Sequence, residues 1–163
     1  MRRVLLASFL AVSACGPAQP MNGPTISNRI NPEAPVSRVV STEILQREPR
    51  TNHSRVKHIL IGWKDLAENY GGGLDPRAAQ RSKRDAEQQV ESLLAQLKGG
   101  ADFDTLMQAH SEDSGLASNP DGYDVTPDAN LVLEFRRLGL RLEVGEVGVV
   151  ETQFGFHVMK RVA

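Results

Sequence analysis

Two histidines in this chain of 163 residues sit where strands would hold them. His58 lies in Val56-Lys57-His58-Ile59-Leu60-Ile61 and shares parity with Val56 and Leu60, so the three project to one face. His157 lies in the C-terminal stretch Gly145 to Lys160, where two short β-branched runs flank a turn. That pattern predicts a hairpin delivering His157 to one face of a sheet. The histidines do not form a ligand set: His53 falls in a proline-rich stretch and His110 at a helix end, far from the closely spaced Cys/His ligands that zinc sites use. No metal is therefore expected. The run Gly71-Gly72-Gly73 precedes no phosphate-loop lysine and reads as a turn. Trp63 closes the first strand and reads as a packing residue.

Positioning these groups requires a small α+β unit. The first strand starts near Val56, and a long loop runs from Lys64 to about Arg81. Ser82-Lys83-Arg84-Asp85 has capping-box spacing, with Asp in place of the usual Glu or Gln. Ala86, Val90, Leu93, Leu94 and Leu97 then step along one helical face until Gly99-Gly100. Asp102 is placed to cap a second helix carrying Phe103, Leu106, Met107 and His110. Thr126-Pro127 reads as the start of a third, striped by Leu131, Phe135 and Leu138. Strand, three helices and a terminal hairpin predict helices packed around a small antiparallel sheet, as a single domain.

The first residues read differently. Arg2 and Arg3 precede an apolar run from Val4 to Val12, too short to span a bilayer, and Val12-Ser13-Ala14-Cys15 follows. This describes a secretory signal over residues 1–14. Cys15 is the only cysteine, so no intrachain disulfide is possible, and its setting resembles a bacterial lipobox that would lipidate it. Removing residues 1–14 takes two arginines and no acids, moving the formal charge from −1 to −3 and giving no general pull toward nucleic acid. Residues 15–55 are rich in Pro, Asn, Ser, Thr and Arg and read as a lipid-attached, mostly extended tether, with a short element expected within Val36 to Leu45. The domain is then 56–163, on a monomer held to a cell-envelope membrane and facing the periplasm or exterior.

The landmarks Val-Lys-His-Ile-Leu, Gly-Ala-Asp-Phe-Asp-Thr-Leu, His-Ser-Glu-Asp-Ser-Gly, Val-Gly-Glu-Val and Thr-Gln-Phe-Gly-Phe-His-Val occur in this order between Val56 and Val162. Together they resemble the parvulin (PpiC-type) peptidyl-prolyl cis-trans isomerases. The resemblance implies a parvulin-like (FKBP-like) sheet surrounded by helices. It implies His58 and His157 as the paired histidines, facing each other across strands and bonding to each other or to Thr152. It places Asp113 near the substrate carbonyl, and Leu131, Phe135 and Phe154 around the proline ring. One segment departs from the family: Pro120-Asp121-Gly122-Tyr123-Asp124 stands where Gly-Gly-Asp-Leu-Gly is usual, which puts Tyr123 at a pocket-lining leucine. Arg77, Arg81, Lys83 and Arg84 fall where phosphate-directed parvulins carry a basic loop, but Asp65, Glu68, Asp75 and Asp85 dilute them into a solvated face.

The implied chemistry needs no cofactor. An X-Pro bond rotates over a barrier of roughly 18–20 kcal/mol set by amide resonance, and the uncatalysed exchange is slow. A site that binds the twisted amide better than the planar one suffices. Leu131, Phe135, Phe154 and Tyr123 would hold the ring, Asp113 would either disfavour charge on the carbonyl oxygen or simply cap or hydrogen-bond its loop, and the histidines with Thr152 would fix the pocket floor. The expected clients are proline-containing segments of exported, unfolded polypeptides. The alternative is a parvulin-fold chaperone or peptide-binding module with weak catalysis, motivated by the atypical 120–124 segment.

Overall fold

A computed structural model describes residues 36–116 and 119–163. The expected signal, Cys15 and the first part of the tether lie outside the described residues. In chain order come α1 (Thr42–Leu45), β1 (Ser54–Ile61), a 3-10 helix (Lys64–Tyr70), α2 (Pro76–Ala79), α3 (Lys83–Lys98), α4 (Phe103–His110), β2 (Tyr123–Val125), α5 (Leu133–Gly139), β3 (Val147–Thr152) and β4 (Gly155–Arg161). The strands form one sheet in the order β2-β1-β4-β3, every pair antiparallel. The fold is α+β, as the element order implies.

Strand alternation divides the molecule into two apolar layers. On one face Ile59, Ile61, Val149, Phe156 and Val158 pack against Ala86, Val90 and Leu93 of α3 and Phe103, Leu106 and Met107 of α4. On the other, Val56, Val125, Val150 and Met159 pack against Phe135 and Leu138 of α5. His58, Leu60 and His157 share this second face, so the histidines are fixed in place by the same pattern that builds the core.

Local signals hold where the sequence states them in short range. The Ser82 Oγ accepts the Asp85 N–H while the Asp85 carboxylate accepts the Ser82 N–H at 3.0 Å, completing the capping box of α3. The Asp102 carboxylate accepts the Thr105 N–H at 2.8 Å at the start of α4. Gly155 opens β4 at φ 136°, where a Cβ would stand 2.5 Å from the Ile61 carbonyl oxygen. Only glycine lets the hairpin close this tightly on β1.

Four expectations change. Residues 36–53 are not a free tether: Val39 and Ile44 are buried, the Ser41 N–H bonds the Val149 carbonyl, and the Arg50 N–H bonds the Leu140 carbonyl. The folded unit therefore begins well before Val56, because two buried side chains and backbone pairing outweigh a proline-rich composition. The 64–81 loop contains the 3-10 helix and α2, the latter capped by Asp75 with Pro76 at its first position. The third helix starts at Leu133 rather than Pro127. The Thr126 hydroxyl bonds the Asp128 side chain and the Ala129 N–H returns to the Thr126 carbonyl, closing a turn instead of nucleating a helix. Finally, Tyr123–Val125 pairs with Ser54–Val56 as an unforeseen edge strand.

Candidate functional site

His58 on β1 and His157 on β4 occupy neighbouring strands, in register with Met159 and Leu60 respectively. Their ring centroids are 5.1 Å apart at 59°. They pack without bonding to each other, which corrects one of the two expected arrangements. The other holds: Thr152, at the end of β3, shares a 2.9 Å hydrogen bond with His157 Nε2, and its hydroxyl accepts the Phe154 N–H at 3.0 Å. Thr152 thus ties the hairpin turn to the histidine and stands behind it rather than on the cavity wall.

Burial sets the charge state of both rings. The His58 ring is held down to about 4, chiefly by burial, with Asp113 opposing the shift. The His157 ring is lowered well below its ordinary value by burial and then by His58. Both are neutral at pH 7. His58 Nε2 lies 3.4 Å from Asp113 Oδ2, yet its geometry makes no hydrogen bond and a neutral ring makes no ion pair. The contact is a close approach only.

Asp113 reaches the site from the loop after α4. That loop is stitched to β1: the Leu60 N–H donates to Ser111 Oγ at 3.1 Å and the Glu112 N–H to the Leu60 carbonyl at 2.9 Å. Glu112 itself is buried, accepting the Gly62 N–H at 2.7 Å and pairing with Arg81 at 2.6 Å. A buried, paired carboxylate of this kind anchors the wall. Asp113 then accepts the Gly115 N–H at 2.9 Å and the Tyr123 hydroxyl at 2.7 Å.

These elements enclose a cavity of about 620 Å³ lined by His58, Asp113, Tyr123, Leu131, Phe135, Phe154 and His157. Phe135 presents its ring edge-on to both imidazoles, at 5.1 Å to His58 and 5.3 Å to His157. Tyr123 lies 5.3 Å from His58 and 6.2 Å from Phe135. Seven of the eight side chains expected at a site thus line one cavity, and the eighth, Thr152, bonds one of them. The sequence did not point to Asn69 and Tyr70, which also line it. The Tyr70 hydroxyl bonds the Phe154 carbonyl and the Asn69 amide donates to the Gln153 carbonyl at 2.7 Å, so the 3-10 helix clamps the hairpin turn. Burial and the nearby carboxylates push the Tyr70 hydroxyl up to about 12, keeping it a donor. No spacing signal marks these two, because a 3-10 helix in a polar loop has no apolar period to read.

The cavity is an aromatic cup holding two neutral imidazoles and three carboxylates, of which Asp75 and Glu112 are paired with Arg77 and Arg81 and Asp113 has no cationic partner in the lining. Among the described residues no three His, Cys, Asp or Glu side chains converge as metal ligands. The arrangement suits holding a small apolar ring next to a polar group.

The chain is 28% identical over 131 residues to the foldase protein PrsA of Geobacillus kaustophilus, covering 80% of this chain and 45% of that protein. It is 31% identical over 141 residues to the chaperone SurA of Nitrosospira multiformis, covering 84% of this chain and 29% of that protein. The chain therefore spans under half the length of these relatives. Among solved structures, the peptidyl-prolyl isomerase ESS1 of Candida albicans superposes with a TM-score of 0.57 at 21% identity, over 69% of this chain and 63% of that one, which speaks to the fold. The family model of the PPIC-type PPIase domain matches residues 41–162, from the residue before α1 to just past the end of β4. With nearly the whole folded unit matched, the chain belongs to the PPIC-type peptidyl-prolyl isomerase domain family, the parvulins.

Proposed function

We propose that this protein is a peptidyl-prolyl cis-trans isomerase acting on X-Pro bonds of unfolded, exported polypeptides. The observation that carries the reading is the cavity in which Phe135, Leu131 and Phe154 wall an apolar cup beside Asp113 and the neutral His58–His157 pair. The proline ring fills the cup, and the preceding carbonyl meets Asp113. A fixed anion beside that oxygen opposes the charge that resonance places there, which lowers the rotation barrier. The imidazoles hold Phe135 and the cavity floor in one geometry and present no charge to the substrate. Thr152 acts through His157. A protease-coupled assay on proline peptides tests this: a rate well above background that falls on Asp113→Asn supports it, and no rate with any residue before proline sinks it.

The envelope setting rests on the sequence. Arg2-Arg3, the apolar run to Val12 and Val-Ser-Ala-Cys15 support export followed by lipid attachment at Cys15, with a monomer held on the membrane surface. Among the described residues no helix is long and apolar enough to cross a membrane. Metabolic labelling with a fatty acid decides the point: label is lost, and the protein leaves the membrane fraction, on Cys15→Ala.

One observation favours a second reading. Tyr123, from the atypical 120–124 segment, sets an aromatic ring in the cavity lining where the family usually has leucine, which suits a peptide-binding or chaperone module with little catalysis. That module would suppress aggregation of proline-free and proline-containing clients equally well.

A further inference from the structure

The geometry points to Tyr123 as a positioning residue for Asp113, its hydroxyl rather than its ring fixing the carboxylate that faces the substrate. The catalytic part of this inference rests on the isomerase reading above; the structural part does not.

Both oxygens of Asp113 are taken by protein donors from different directions. Oδ1 accepts the Gly115 N–H at 2.9 Å and Oδ2 accepts the Tyr123 hydroxyl at 2.7 Å, so the plane of the carboxylate is set. Tyr123 reaches it from a different element, the edge strand β2, where it pairs with Val56 and lays its ring against His58 and Phe135. The backbone is shaped around this bond. A Cβ at residue 115 would lie 2.5 Å from the Tyr123 hydroxyl oxygen and 3.3 Å from Asp113 Oδ1, so only glycine leaves room for the pair.

The remaining neighbours of Asp113 make the hydroxyl decisive. His58 faces it from β1 with a neutral ring at 3.4 Å, and His157 stands behind His58. Tyr70 of the 3-10 helix, Glu112 beside it and Asp75 ahead of α2 complete the ionisable groups around the cavity. None of these supplies a positive charge to hold the carboxylate. Asn119 bonds the Gly115 carbonyl at 3.1 Å and steadies the turn. Burial and then Asp113 raise the Tyr123 hydroxyl above its ordinary range, so it keeps its proton and donates throughout the working pH range. Without that donor Asp113 would be free to turn toward His58 or toward solvent, and the anion would no longer stand at a fixed distance from the substrate carbonyl.

The test is Tyr123→Phe in the whole chain, which keeps the ring and removes one oxygen. Loss of a hydrogen bond to a charged group should lower kcat/KM by about tenfold or more, mainly in kcat with KM little changed. In substrate-free protein at pH 7, the Asp113 carboxyl carbon resonance should move on Tyr123→Phe, since the carboxylate loses one of its two donors. Starting from Asp113→Asn, adding Tyr123→Phe should cost less than about twofold, because the two act as one unit. An Asp113 carboxyl resonance unchanged by Tyr123→Phe overturns the inference, whatever the rate does. So does a Tyr123→Phe variant that isomerises as fast as, or faster than, the parent. If the parent itself shows no rate, the isomerase reading fails, while the Asp113 carboxyl resonance still decides whether the hydroxyl holds the carboxylate.

Discussion

His58 and His157 must be neutral to be buried, and acid is where that requirement shows. Folding holds His58 down to about 4 and His157 well below its ordinary value, whereas an unfolded histidine takes its proton near pH 6.5. Between those limits the unfolded chain binds more protons than the folded one. Stability is therefore full above about pH 6.5 and is lost as the pH falls toward 4, by an amount of order a few kcal/mol. The expected outcome is a thermal midpoint that drops between pH 7 and pH 4.5, with a flatter dependence in His58→Leu. An identical slope in that variant would show that the imidazoles are not the source. The histidine pair is legible in the sequence because strand parity alone puts His58 with Val56 and His157 with Met159 on one face. The bond from Tyr123 to Asp113 is not. It spans ten residues across a loop without periodicity, and it depends on β2 pairing with β1.

Secondary elements hold the site by covering it from behind. The strap from Val36 to His53 runs along the edge strand β3, where the Ser41 N–H donates to the Val149 carbonyl and Ser41 Oγ accepts the Val149 N–H, each at 2.9 Å. At Val149 the outward backbone groups of this edge are thereby taken, which shields that point from pairing with another chain. Ile44 of α1 then packs in the layer of Phe135 and Leu138, against the open side of Gly148, where an added Cβ would lie 3.1 Å from its methyl. Ile44→Ala should cost about 2–5 kcal/mol by denaturant unfolding, and a chain beginning at Val56 should be less stable than one beginning at Val36. Equal stability of the two would show that the strap is only laid on the surface. The strap reads as a tether in sequence because its few apolar residues fall among Pro, Asn, Ser and Arg with no regular period. The capped helices α3 and α4 are legible for the opposite reason: their caps and stripes lie within a few residues of one another.

Across the whole molecule, net charge is close to balance, but its distribution around the cavity is not. The charged residues lining it are Asp75, Glu112 and Asp113, with no lysine or arginine among the described lining residues. The nearby arginines are committed elsewhere. Arg77 holds Asp75 at 3.0 Å and the carbonyls of Ala109 and Ser111, and Arg81 holds Glu112 at 2.6 Å. These pairs largely cancel Asp75 and Glu112, leaving Asp113 as the uncompensated charge. A unit charge about 8 Å from it, at an effective dielectric of about 40, feels roughly 1 kcal/mol, or about fivefold in binding. For the proposed isomerase, peptides with Lys or Arg before proline should react fastest, those with Ala next, and those with Glu or phosphoserine slowest. The spread should narrow as salt rises from about 0.1 M to 1 M, because the screening length falls from about 10 Å to 3 Å. The measurement is kcat/KM over that peptide series at both ionic strengths. A preference for phosphoserine would mean that Arg77 or Arg81 leaves its carboxylate to meet the substrate. A salt-independent ranking would assign selectivity to the shape of the cup formed by Phe135, Phe154 and Tyr123 instead.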